Sequence, residues 1–163
     1  MTTRAAINGY GRIGRCLLRA AHERGLAGRL DVVAINELAN LETMAYLTRY
    51  DSTHGRFPGQ VDSRPGALLI DGREIAVSSA EALDGLDWQR HGVDLVFECT
   101  GAFTSRERAA EHLRRGARRV MFSQPADADV ANGTPVPYPP RTTNLHHELE
   151  LVVAIGTGGR DIP

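Results

Sequence analysis

Gly9-Tyr10-Gly11-Arg12-Ile13-Gly14 is the stretch of this chain whose residue types and spacing carry the clearest chemistry. It follows the short apolar run Ala5-Ala6-Ile7-Asn8 and opens a segment of helical periodicity, so it sits where a strand turns into a helix. There Gly9 permits a tight turn, Gly11 lets the backbone approach a pyrophosphate, and Gly14 allows the helix to pack closely on the strand. The unpaired N–H groups of the first helical turn, around Arg12 and Ile13, then face the anion. Glu37 closes the next apolar run, Asp31 to Glu37. A carboxylate at that strand end accepts hydrogen bonds from ribose hydroxyls and repels a 2′-phosphate, which favours NAD over NADP. The plainer alternatives are a bare turn at the glycines and a solvated charge at Glu37. The strand–turn–helix context argues against the first.

The remaining reactive side chains promise less. Cys16 falls on the apolar face expected for the first helix and Cys99 at a strand end. A thiol needs a nearby base or positive potential to become a nucleophile, and the two are too far apart, with no paired spacing, for a zinc site or a disulfide framework. His22, His91 and His112 read as surface positions, and His146-His147 alone are too few to hold a metal.

These residues have to be positioned by alternating strands and helices. A helix is expected from Arg12 to about Arg24, with Ile13, Cys16, Leu17, Ala20 and Ala21 on its apolar face and Gly25 as its stop. Leu41 to Tyr50 reads as a second helix capped by Asn40, and Asp51 to Gly59 as a polar loop. Ala67 to Ile70 and Glu74 to Val77 flank Asp71-Gly72 as a hairpin. Val93 to Cys99 is a strand, Ser105 to about Arg115 a helix, and Arg119 to Ser123 a strand. Together they imply an α/β, Rossmann-type, mostly parallel sheet with helices on both faces. Beyond it, four prolines between Ala126 and Pro140 exclude helix or central strand, and Leu149 to Ile155 is a candidate strand.

At 163 residues the chain suits one compact domain. A net charge of −1 gives no basic stripe for nucleic acid. All 19 basic residues are arginine, which reads as coding bias. No apolar run is long enough for a signal-peptide core or a membrane span, so a soluble, cytoplasmic protein is expected.

Three separated motifs in order resemble the glyceraldehyde-3-phosphate dehydrogenase family: Ala6-Ile7-Asn8-Gly9-Tyr10-Gly11-Arg12-Ile13-Gly14-Arg15, Tyr50-Asp51-Ser52-Thr53-His54-Gly55-Arg56-Phe57, and Glu98-Cys99-Thr100-Gly101-Ala102-Phe103. The strand end Ile35-Asn36-Glu37-Leu38 and the stretch Phe122-Ser123-Gln124-Pro125 resemble its erythrose-4-phosphate dehydrogenase branch. The resemblance implies that Arg12 and Ile13 hold the pyrophosphate, Glu37 the adenosine ribose, and Asn36 flanks the adenine pocket. It places Thr100 and Gly101 along the dinucleotide and Ser123 toward the nicotinamide. Phe103 is either a wall of the adenine pocket or plain core. Glu81 stands in Ser78-Ser79-Ala80-Glu81-Ala82 without the arginine the family often has there.

No catalytic residue is expected in this chain. The family's nucleophile sits in a Ser-Cys-Thr-Thr-Asn motif, whereas Pro140-Arg141-Thr142-Thr143-Asn144 offers an arginine at too short a distance from Ser123. The expected organisation is an NAD-binding domain over 1–130, a divergent Pro/Gly-rich tail over 131–163, and no catalytic domain. For the tail, a shifted reading frame, a truncation and true divergence all remain open. NAD is the expected cofactor; a sugar-phosphate aldehyde substrate requires the catalytic half, and homo-oligomerisation is left open. The competing readings are a non-enzymatic NAD-binding or interaction module, and a different Rossmann dehydrogenase such as a semialdehyde dehydrogenase, against which His54-Gly55-Arg56-Phe57 argues.

Overall fold

The computed structural model describes residues 2–122; the expectations for Ser123 and for the tail lie outside the described residues. Seven strands form the main sheet: β1 (Thr3–Asn8), β2 (Leu30–Asn36), β5 (Val61–Arg64), β6 (Ala67–Ile70), β7 (Arg73–Ser78), β8 (Leu95–Glu98) and β9 (Arg119–Phe122). The order across the sheet is β5-β6-β7-β2-β1-β8-β9. From β7 to β9 all neighbours are parallel, and β5-β6-β7 adds an antiparallel meander at one edge. The meander turns at Asp71-Gly72, both with positive φ, as the expected hairpin requires. The α/β class and the mostly parallel sheet are therefore as the sequence implies.

Alternation along the central strands divides the core. Ala5, Ile7, Ile35 and Phe97 face helices α1 (Arg12–Glu23) and α2 (Leu41–Arg49), meeting Leu18, Met44 and Ala45. Ala6, Ala34 and Val96 face the other way and pack with Leu83, Leu86, Trp88, Val93 and Ala117. Helix α2 starts as expected, with the Asn40 side chain accepting the Thr43 amide at 2.8 Å.

Several details differ from expectation. Helix α1 buries Gly14, Leu18 and Arg19, whereas Ile13 is 40% exposed. The phase of the helix is set by Gly14 lying under Gly9, and this rotates the apolar face away from Ile13 and Ala20. Buried Arg19 answers three carbonyls, donating to Gly55, His54 and Arg56 at 2.8–2.9 Å. Helix α2 ends at Arg49, one residue before the expected Tyr50, which instead pairs with the 51–59 stretch in a short antiparallel ladder, β3 (Tyr50–Asp51) with β4 (Gly55–Arg56). The single helix expected over 105–115 is two short ones, α3 (Arg106–Ala109) and α4 (Glu111–Arg114). Ser105 caps α3, accepting the Arg108 amide at 3.3 Å.

Candidate functional site

The parallel strands end in a row. Ser78, Asn36, Asn8, Glu98 and Phe122 are paired in register across β7, β2, β1, β8 and β9, so the loops that follow open on one edge of the sheet. This is the edge where open α/β sheets take ligands. After β1 the backbone turns at Gly9, with φ +89°, and a Cβ there would stand 2.7 Å from the Thr100 nitrogen. The first turn thus lies against the third motif with no room for a side chain. At Gly14 a Cβ would meet the Gly9 carbonyl oxygen at 2.3 Å, which explains the close helix–strand contact. At Gly11 nothing lies within 4 Å. The space beside it is open.

Helix α1 begins at this turn. Its N-cap is Gly11, no side chain caps it, and no acidic residue stands in its first turn. A twelve-residue helix therefore presents free amides and the positive end of its dipole to the open space.

A groove of about 370 Å³ runs from there between the loops, lined by Gly9, Gly11, Asn36, Glu37, Thr100 and Phe103 among others. Of the cofactor-binding residues expected from the sequence, these six meet on one surface, together with Glu81 and Cys99. Arg12, Ile13, Gly14 and Gly101 do not line the groove: Gly14 is buried against the Gly9 carbonyl, and Gly101 is exposed with φ +74°. Arg12 turns aside to Asp51 at 2.7 Å and reaches Ser52 at 3.4 Å. The backbone N–H groups of His54 and Thr53 hold the Asp51 carboxyl below the ordinary carboxylate range, with further help from the His54 ring and Arg12.

Glu37 takes a defined place. Its Oε2 accepts the Tyr10 amide at 2.6 Å, and its Oε1 accepts Leu38 N–H at 2.8 Å and Ala39 N–H at 3.2 Å. The carboxylate ties the end of β2 to the glycine turn and leaves further lone pairs toward the groove. Tyr10 itself points inward: Thr48 gives its hydroxyl proton to the Met44 carbonyl, so the Tyr10 hydroxyl donates to Thr48 at 3.0 Å. Phe103 packs against the second core cluster and also lines the groove.

Sequence reasoning missed the layer beneath the groove. Asn36 Nδ2 donates to Asn8 Oδ1 at 2.8 Å and to the Ala80 carbonyl at 2.9 Å, and its Oδ1 accepts the Ala80 amide. Asn8 Nδ2 donates to Glu98 Oε2 at 2.6 Å. His112, read from sequence as a surface residue, is fully buried and donates from Nε2 to the same oxygen at 2.8 Å. The signal for this layer was present: polar Asn8, Asn36 and Glu98 each close an otherwise apolar run.

Burial opposes the Glu98 carboxylate, yet the hydrogen bonds from His112, Asn8 and Thr100 outweigh it and hold its pKa below the ordinary glutamate value. The same environment acts oppositely on Cys99. Burial, with the Glu98 charge, pushes its thiol up to about 12, so it is a thiol and no nucleophile at neutral pH. Among the described residues no group of three or more His, Cys, Asp or Glu could hold a metal ion. No helix among them is long and apolar enough to cross a membrane. A larger cleft of about 690 Å³ lies at the opposite, N-terminal ends of the strands, between α1 and the β2–β7 edge; it lacks the strand-to-helix glycine turn and the N-terminus of α1.

A parallel sheet, a glycine turn into an uncapped helix and an acidic residue ending the second strand together define a dinucleotide-binding domain of Rossmann type. Residues 3–106 match the family described as glyceraldehyde 3-phosphate dehydrogenase, NAD binding domain. The chain is 50% identical over 130 residues to the chromosomal and the plasmid glyceraldehyde-3-phosphate dehydrogenases of Cupriavidus necator, covering 80% of this chain and 39% of each relative. It is 50% identical over 125 residues to the glyceraldehyde-3-phosphate dehydrogenase of Pseudomonas aeruginosa, covering 77% of this chain and 37% of that protein. The chain belongs to the glyceraldehyde-3-phosphate dehydrogenase family through its NAD-binding domain, and NAD is the cofactor of that domain. It spans about two-fifths of the length of these relatives. A second match, to the fumarylacetoacetate hydrolase C-terminal family, covers residues 94–163 and overlaps the first over 94–106.

Proposed function

We propose that this chain supplies the cofactor site of an NAD-dependent oxidation of an aldehyde phosphate and performs no turnover alone. The observation that carries the reading is the groove between the uncapped start of α1 and the Glu37 carboxylate. The free amides of Arg12 and Ile13 hold the pyrophosphate, with Gly9, Gly11 and Gly14 making the approach possible. Glu37 accepts the adenosine ribose hydroxyls, Asn36 and Phe103 bound the adenine side, and Thr100, Gly101 and Ser123 follow the dinucleotide toward the nicotinamide. When bound, NAD accepts a hydride from the substrate; the chain's own residues hold and orient it.

The names of the relatives favour glyceraldehyde 3-phosphate as the substrate of the complete enzyme, while Glu37 and Phe122-Ser123-Gln124-Pro125 favour erythrose 4-phosphate. The high pKa of Cys99 and the absence of a Ser-Cys-Thr-Thr-Asn motif favour an inactive chain. Hydride transfer from an aldehyde in this family requires prior attack by a thiolate. Purified chain incubated with NAD and either aldehyde phosphate should give no steady rise in NADH absorbance. A saturable rise that disappears in Cys99→Ser would overturn this part. A cytoplasmic location belongs to the same reading, and homo-oligomerisation stays open.

The tail admits a second reading. Its match over 94–163 favours coding text of a second family over a shifted frame of the first, because out-of-frame text has no reason to resemble a family at length. Resequencing the gene from source DNA across these codons tests it. One continuous frame is expected, and a Ser-Cys-Thr-Thr-Asn continuation in another frame would defeat it.

A further inference from the structure

The groove rests on a buried hydrogen-bond chain whose far end is the only tryptophan of the sequence. Trp88 Nε1 donates to His112 Nδ1 at 2.9 Å, and His112 Nε2 meets Glu98 Oε2 at 2.8 Å. An indole nitrogen only donates, so Nδ1 is the acceptor and the imidazole proton resides on Nε2, directed at the carboxylate. Glu98 is then filled: Oε2 takes His112 and Asn8, and Oε1 takes the Thr100 amide at 2.8 Å and the Thr100 hydroxyl. The Thr100 hydroxyl oxygen accepts in turn from the Ala102 amide at 3.0 Å. Thr100 and Ala102 line the groove, and the Thr100 backbone lies against Gly9 with no space for a Cβ.

We propose that His112 is a positioning residue for cofactor binding: from α4 it orients Glu98, and Glu98 fixes the Thr100–Ala102 wall of the dinucleotide groove. Both His112 and Glu98 are nearly without solvent exposure and neither lines the groove, so the influence passes through the wall. A core histidine that merely fills space would need neither a fixed tautomer nor a link to the wall. The tautomer is set by Trp88, the carboxylate rotamer by His112 and Asn8, and the 100–102 turn by the carboxylate. Each member has its bonds from the next, which makes the chain act as a unit. The inference rests on NAD occupying this groove.

The test uses the full chain and NAD. In ¹⁵N spectra of the wild type, His112 should show the Nε2–H tautomer with Nδ1 as acceptor; the reverse tautomer overturns the proposal. NAD is then titrated against wild type, His112→Phe, Glu98→Gln and the double variant. Each single change should weaken binding about tenfold, and the double variant little more than either, because residues in one network are non-additive. His112→Gln, which retains both a donor and an acceptor, should bind within about threefold of wild type and restore the Thr100 amide shift. Equal binding by His112→Phe, or additive losses in the double variant, overturns the proposal. Should His112→Phe fail to fold, the tautomer and the His112→Gln and Glu98→Gln titrations decide it. A wild type that does not bind NAD would instead refute the dinucleotide reading itself.

Discussion

Gly9, Gly11 and Gly14 differ in the kind of space each requires, and the difference separates folding from binding. Gly9 and Gly14 lack a side chain because protein occupies the position, at 2.7 Å and 2.3 Å from a hypothetical Cβ. Gly11 lacks one with open space beside it. Gly14→Ala should therefore lower stability, by on the order of 3 kcal/mol for overpacking against backbone, seen as a lower urea midpoint. Gly11→Val should leave the unfolding free energy within about 1 kcal/mol of wild type and abolish NAD binding. A Gly11 variant that binds NAD normally would mean that the pyrophosphate lies elsewhere. The tight turn at Gly9 and the close packing at Gly14 were legible in the sequence because spacing and context encode them, and Gly11 has the open space its expected role requires. The buried place of His112 was not, since its partners Trp88 and Glu98 are far away in the chain and only the fold brings them together.

Helix α1 shows where element-level reading succeeds and where it stops. Its start at Arg12 and its end near Gly25 follow from local chemistry, and the structure agrees. Its phase does not, because the contact of Gly14 beneath Gly9 is tertiary and outweighs the apolar count that favoured Ile13 and Ala20. Arg19 is the clearest consequence. A charged residue on the buried face is acceptable only because it is hydrogen-bonded throughout, to the His54, Gly55 and Arg56 carbonyls and to Glu23 at 2.7 Å. The Tyr50-to-Phe57 motif is thus held to α1 by its backbone. Arg19→Met leaves those carbonyls without their donor and should cost about 2 to 4 kcal/mol. Amide exchange over 54–57 should accelerate more than in the β1–β2–β8 core. Uniform acceleration would show that Arg19 does not act on this loop. The split of the 105–115 helix into two short ones was beyond local signals.

At the scale of the whole molecule, the fold class and six of the groove-lining residues are legible in the sequence, because strand ends carry motif residues in a fixed topological order. The polar layer below them depends on strand register, and the sequence displays it only as isolated Asn and Glu residues closing apolar runs. That layer links the site to stability. Glu98 has a folded-state pKa below its ordinary value, so its contribution is present above the unfolded pKa of about 4.3 and is lost as pH falls through the folded value. Wild type should lose stability below about pH 4.5, and Glu98→Gln, less stable at pH 7, should show a shallower decline over the same range. Parallel curves would mean that the carboxylate is not held by the network.

The central claim is that the groove beside Gly11 and Glu37 binds NAD, and calorimetric titration of the full chain with NAD and with NADP tests it most directly. Glu37 accepts from Tyr10, Leu38 and Ala39 and lines the groove; in the proposed reading it accepts the ribose hydroxyls and repels a 2′-phosphate. The account predicts saturable NAD binding at one site per chain, at least about tenfold tighter than NADP. NADP binding as tightly as NAD, or no heat with either dinucleotide, would contradict it.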